Sequence, residues 1–288
     1  MADTSAEADI RGINIDTLAK GFADELNIFK KFINVTSTKS RELRWYAKTT
    51  GFLDTSDSGA VTASGIANTS FKARPFVVEQ SWTRNTSYIR KYFVESPWIS
   101  DEDIKDNDVD ILGTNIKDLV RAVERQVDAR IYNQLSTGTG VQTSVSVADG
   151  WDDTVTGDPI ADILTAKAGI RSFGYNPEGS TLAITSLEHR QLLQWLINVK
   201  GSSIPSFANK SLESGVVMEI LGCNVVVSEN ATANQCLIFT RDAATWKSFM
   251  PITAVKIEEK LIGTKIRVAE EGEIIVHDPK ACYLLTAV

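Results

Sequence analysis

GTNIKDLVRAVERQVDARIYNQL, Gly113 to Leu135, decides the architecture. Ile116, Leu119, Val120, Val123, Val127, Ile131 and Leu135 recur at three- and four-residue intervals, so a helix places them on one stripe. Lys117, Asp118, Arg121, Glu124, Arg125, Asp128 and Arg130 stand between them and read as a solvated opposite face. From Thr114 to Leu135 no glycine or proline interrupts the pattern, and STGTG (136–140) stops it. At 1.5 Å per residue this is a helix of about 35 Å, long enough to be the backbone of an elongated domain.

Upstream, SYIRKYFVES (87–96) reads as a strand, followed by the acidic run DEDIKDNDVD (101–110). Asp106, Asp108 and Asp110 imitate the first ligands of a calcium loop, but Ile111 replaces its glycine and Lys117 its closing glutamate, so a solvated acidic turn is expected. Arg41–Leu53 and Phe71–Trp82 are rich in aromatic and β-branched residues and read as two strands, the second bulged or at an edge because Pro75 cannot donate to a ladder. Between them, GFLDTSDSGAVTASGIANTSF (51–71) is small, polar and free of positive charge. So long a loop is functional or disordered, and an isolated two-stranded excursion needs something else to pack on. Ile15, Leu18, Phe22, Leu26, Phe29 and Ile33 recur at helical spacing over Asn14–Ile33, ahead of a polar break, NVTSTKS. That helix packs either on another molecule or on its own core.

Downstream, Asp158-Pro159 opens a helix as N-cap and first residue, with Ile160, Ile163, Leu164, Ala168 and Ile170 inward and Gly174 closing it. STLAITS (180–186) reads as a buried strand, and Ser186 as the cap of LEHRQLLQWLINV. After a loop at 200–215, VVMEILGCNVVVS and QCLIFT are strand-like, which gives α/β layering. Ala254–Asp278 alternates as a hairpin with Glu271-Gly272 as its turn signal, and ACYLL (281–285) is a last strand.

The balance of 43% hydrophobic and 23% charged residues over 288 is globular, and a chain of this length needs no staples. A net charge of −7 argues against general binding to nucleic acid or anionic membrane. Cys223, Cys236 and Cys282 are scattered in apolar runs, read as buried thiols of a cytoplasmic chain. The acidic start has no apolar signal-peptide core, and no apolar run approaches the ~18–20 residues that span a membrane. No catalytic, cofactor or metal constellation emerges: His189 and His277 read as structural or solvated. Glu258-Glu259 and Glu270-Glu271 point to opposite strand faces and read as solvated charges. Trp45, Tyr46, Phe71, Phe76 and Trp82 lie on the ribbon among Lys39, Arg41, Arg44, Lys48, Lys72 and Arg74, so base stacking is conceivable. Protein–protein packing is the better reading.

The order of parts resembles the major capsid proteins of tailed bacteriophages, the Hong Kong 97 fold. The stretch YIRKYFVESPWISDEDIKDNDVDILGTNIKDLVRAVERQVDARIYNQLSTGTG is similar to that family's strand, acidic turn and spine helix. ILTAKAGIRSFGYNPEGSTLAITSLEHRQLLQWLIN resembles its A-domain helix, loop and next helix; ILGCNVVVSENAT and VHDPKACYLL resemble its later strands. The likeness runs from about Tyr88 to the C-terminus and extends to the N-terminal region in layout only.

It implies an α+β fold with an N-terminal arm (1–40), an extended two-stranded E-loop (41–85), a P domain with the spine helix (86–150, completed by about 251–278) and an α/β A domain (151–250, with a final strand at 279–288). It implies a shell, assembled in the host cytoplasm through pentamers and hexamers, that encloses double-stranded DNA in a virion without reading its sequence. Phe52, Leu53 and Phe71 would anchor the E-loop base on a neighbour. Ile15, Leu18, Phe22 and Leu26 would reach another subunit, and Trp45, Tyr46, Phe76 and Trp82 would join the intersubunit contacts. The short arm implies a separate scaffold or none. A portal and a decoration protein are the other partners implied, and covalent cross-links are not expected. An encapsulin-like nanocompartment shell, an α/β enzyme with an unrecognised site and a single-stranded nucleic-acid binder are the alternative readings.

Overall fold

The computed structural model describes residues 28–48, 71–72, 74, 82–100, 111–146, 149–153, 155–198, 219–259 and 262–288. The helix of the opening stretch, α1, runs Ile111–Thr137. Its stripe is buried as periodicity requires: Ile116, Val120, Val123, Val127, Ile131 and Leu135 are at most 3% exposed, and Leu119 is half-buried. The opposite face is not uniformly solvated. Glu124 and Asp128 are buried at 2% and 1%.

The stripe packs on a four-stranded sheet of β1 (Asn34–Ser37), β4 (Arg90–Glu95), β10 (Ala244–Glu259) and β11 (Gly263–Val276), in the order β1-β10-β11-β4. β1 joins β10 in parallel; the other pairs are antiparallel. The expected polar break at 34–40 therefore contains a strand. The apolar positions before it end in a 3-10 turn, Phe29–Lys31, and Phe29 and Ile33 are buried in the chain's own core. The rest of the expected N-terminal helix, like the acidic run 101–110, lies outside the described residues.

The C-terminal hairpin is present and longer than expected, its first strand ending at Glu259 and its second starting at Gly263. Glu271-Gly272 is not its turn. Both residues pair across the middle of the sheet, with Lys91 and Arg90 on one side. A Cβ on Gly272 would lie 2.4 Å from Trp246 Cζ2, so glycine there admits the indole. Gly263, at φ +151°, starts β11, and a Cβ on it would come within 2.0 Å of the Ile99 carbonyl oxygen. Ile99 and Thr264 exchange two backbone hydrogen bonds at this point, 2.9 and 2.8 Å long. Gly263→Ala must break that bridge, because backbone cannot give way as a side-chain tip can. It is expected to lower stability by about 1–3 kcal/mol, read as a fall in thermal midpoint.

A second, six-stranded mixed sheet has the order β5-β12-β9-β6-β8-β7, from β5 (Gln142–Val145), β6 (Thr181–Ile184), β7 (Glu219–Ile220), β8 (Cys223–Val227), β9 (Gln235–Phe239) and β12 (Cys282–Thr286). Its core, including Leu182, Ile184, Ile238 and Leu285, meets Ile163 and Ile170 of α2 (Pro159–Ser172) and Trp195 of α3 (Ser186–Asn198). Asp158 caps α2, accepting from the Ala161 N–H, and Gly174 follows it at φ +85°. Leu164 and Ala168, expected inward, are exposed; Asp162 and Ala166 take the inner face. Thr185, rather than Ser186, caps α3. Its hydroxyl accepts from the Leu187 N–H while Glu188 accepts from the Thr185 N–H, a capping box. The three cysteines are buried and unbridged.

A separate ribbon pairs β2 (Glu42–Lys48) with β3 (Trp82–Tyr88). The expected return strand Phe71–Trp82 meets β3 only at Trp82: Phe71 and Lys72 lie in a turn, 73 and 75–81 lie outside the described residues, and β4 follows directly after β3.

Candidate assembly surface

The ribbon has two unlike faces, because side chains alternate along each strand. Leu43 and Ala47 are buried, and Trp45 on the same face is half-buried and donates its indole N–H to the Val276 carbonyl at 3.0 Å. That face binds the ribbon's base to its own chain. On the other face the register sets Tyr46 opposite Arg84, Lys48 opposite Trp82 and Glu42 opposite Tyr88. Tyr46, Trp82 and Tyr88 are 61%, 55% and 66% exposed there. Arg44 on this face makes a two-pronged ion pair with Glu42, both contacts 2.7 Å, which holds the Glu42 carboxyl below its usual range. Aromatic groups interleaved with arginine on a solvent face are the composition of a protein contact surface.

The residues singled out from sequence therefore divide. Tyr46 and Trp82 share the outward face, and Phe71 is also fully exposed. Trp45 faces the other way, onto its own chain. Ile15, Leu18, Phe22, Leu26, Phe52, Leu53 and Phe76 lie outside the described residues. The α1 stripe is the core of its own chain. Tyr88 was not singled out, although alternation from Trp82 along the strand would have found it.

Of the carboxylates read as solvated, Glu258 and Glu259 are exposed, whereas Glu124, Asp128, Glu270 and Glu271 are buried and form, with Glu273, a buried charge layer about the first sheet. Glu270, Glu271 and Glu273 are 2%, 6% and 0% exposed. Glu273 meets Arg130 of α1 at 2.8 Å and Arg90 of β4 at 2.9 Å. Glu271 faces Arg41 and Lys91 at 3.4 and 3.8 Å. Lys30, in the segment before β1, places its ammonium 2.6 Å from Glu270 and 3.2 Å from Glu124. The same ammonium lies 5.5 Å from the centre of the Trp246 ring. Asp128 accepts the backbone N–H groups of Ile28 and Phe29 at 3.1 and 3.3 Å. Burial pushes the Glu124 carboxyl up to about 8, with Lys30 pulling against it and Glu270 adding to the rise. Burial also pushes Asp128 up to about 6, against the two N–H groups and Lys30. No sequence pattern marks these groups, since their partners come from segments up to 240 residues away.

His277 shares a 3.2 Å hydrogen bond with Thr245, a local structural role. No described helix is long and apolar enough to cross a membrane, and the described residues hold no cluster of metal-ligating groups.

The long helix on a hairpin sheet, the mixed second sheet and the protruding ribbon are matched by a family model and by solved structures. A family model described as phage capsid protein matches residues 98–285, from the end of the first sheet's edge strand through β12. The chain belongs to the phage capsid protein family. Comparison with curated proteins gives no match. Solved structures extend the likeness over most of the chain. A virus-like particle from Pyrococcus furiosus aligns at TM-score 0.65 and 12% identity, covering 94% of this chain and 97% of that one. The capsid of cyanophage P-SCSP1u aligns at 0.63 and 14%, covering 91% and 88%. The capsid of a native GTA particle aligns at 0.59 and 12%, covering 99% and 95%. The fold is accordingly α+β of the Hong Kong 97 type.

Proposed function

We propose that this phage capsid protein is the major capsid protein of a tailed virus, assembling through pentamers and hexamers into an icosahedral shell around double-stranded DNA. The observation that carries the reading is the ribbon: a folded extension with one face fastened to its own chain and an aromatic, arginine-bearing face left to solvent. A two-stranded unit is marginal alone, so such a face calls for a partner. In a shell the partner is another copy, and closed shells arise when heterologous contacts of this kind complete their rotations.

On this reading 41–85 is the E-loop, α1 the spine helix of a P domain (86–150, completed by about 251–278), 151–250 the A domain with 279–288 as its last strand, and 1–40 the N-terminal arm. Tyr46, Phe52, Leu53, Phe71, Phe76 and Trp82 are the loop's contacts with a neighbour. Ile15, Leu18, Phe22 and Leu26 are those of the arm. The role is structural, in the virion capsid, with assembly in the host cytoplasm. A portal and a decoration protein are the further partners, with a separate scaffold or none. An acidic chain suits a DNA container, because a basic lining would hold the packaged duplex tightly.

The likeness to the Pyrococcus furiosus virus-like particle favours a second reading, a nanocompartment around protein cargo. Particles from the native source, treated with nuclease and then opened, separate the two. Protected double-stranded DNA is expected; protein cargo without DNA would replace the first reading by the second.

A further inference from the structure

We propose that residues 28–37 form a strap whose docking on α1 and β10 is governed by one proton among the carboxylates around Lys30, acid tightening the strap and alkali loosening it. The strap is held at two places. β1 adds to the edge of β10 in parallel, and the Thr38 N–H, just beyond it, donates to the Ser248 carbonyl at 2.8 Å. Before β1, the strap inserts Lys30 among the carboxylates and hands the N–H groups of Ile28 and Phe29 to Asp128.

The groups that face this node are few. The strap supplies Lys30; α1 supplies Glu124 and Asp128; β11 supplies Glu270. Trp246 of β10 and Tyr92 of β4 complete the surroundings, and neither the Trp246 indole N–H nor the Tyr92 hydroxyl donates to a carboxylate. Glu273 stands next to the node and is already met by Arg130 and Arg90. With every group ionised, three buried carboxylates would face one ammonium. Uncompensated buried charge is costly, and taking up a proton removes it.

Glu124 is the group placed to take that proton. It is buried with the strap's Lys30 against it, and its contact with Lys30 (3.2 Å) is longer than that of Glu270 (2.6 Å). With the strap docked, its carboxyl is raised to about 8; released, it meets solvent and returns toward its ordinary value of 4.5. Between those two values the docked state holds one proton more than the released state. Docking is therefore strongest at the acid end, weakens as pH rises toward about 8 and then levels off. Asp128, raised to about 6, acts in the same direction at lower pH.

Hydrogen exchange on the unassembled full-length protein, corrected for intrinsic base catalysis, reads docking at the Thr38 amide. From about pH 6.5 to about pH 7.5 its protection should fall by up to tenfold, the limit for one linked proton. In Glu124→Gln, which stays uncharged, protection should be flat over this range and exceed wild type at the upper end. Amides of the central strand β9 should not change in either protein. A flat wild-type profile would overturn the proposal, whether or not the variant folds. So would a Glu124→Gln profile that falls in parallel with wild type.

Discussion

Trp246→Ala is expected to lower the free energy of unfolding by about 3–5 kcal/mol, the range for removing a fully buried large aromatic side chain. Trp246 is 1% exposed. Its indole lies against the bare backbone of Gly272, under the Lys30 ammonium and 6.5 Å from the Tyr92 ring. Gly272 has no side chain with which to fill the space, and Lys30 is tied to Glu270, so the cavity cannot collapse easily. Urea unfolding should show the midpoint falling with the slope unchanged. A loss below about 1 kcal/mol would mean that β10 and β11 do not pack through this indole.

Asp162→Ala is expected to cost about 1–3 kcal/mol by a different mechanism. Asp162 is fully buried on the inner face of α2. One of its carboxylate oxygens accepts both the Trp151 indole N–H and the Ser146 hydroxyl, each at 2.8 Å. Those contacts fix the chain between β5 and α2. Alanine leaves the buried Trp151 indole N–H without an acceptor, at about 1–3 kcal/mol, while the Ser146 hydroxyl keeps the Asp149 carbonyl at 2.9 Å. Asp162→Asn keeps one acceptor oxygen and should lose roughly half as much. Equal stability of the two variants in urea would show that the acceptor is not what matters.

The sequence revealed elements wherever one period ran uninterrupted. The seven-residue stripe from Ile116 to Leu135 gave α1 because a single face was apolar over its whole length. Asp158, Pro159 and Gly174 marked α2 because caps are local chemistry. The failures were of another kind. Phe29 and Ile33 are four apart, which suits a helix, yet they are buried by a 3-10 turn and the approach to a strand. Spacing alone does not separate those cases. Asn34–Ser37 looked like a break because an edge strand with a mostly solvated pattern has no apolar face to show. Glu271-Gly272 looked like a turn, but the glycine is there for the Trp246 indole, which comes from another strand.

The buried charge layer was the least legible feature. Glu124, Glu270 and Glu273 have the same local surroundings as solvated glutamates; only Lys30, Arg90 and Arg130, brought in by the fold, make them otherwise. On the ribbon, the aromatic residues were visible as a group. Their division into an inward Trp45 and an outward Tyr46, Trp82 and Tyr88 depended on a strand register that sequence did not provide.

Sedimentation velocity of the purified protein, with negative-stain microscopy of its fastest fraction, tests the central claim of self-assembly most directly. Rings of five or six copies, or closed shells, are expected across a range of concentrations. A single compact species with a radius of gyration near the ~19 Å of a globular monomer of this length, unchanged at every concentration, would contradict it.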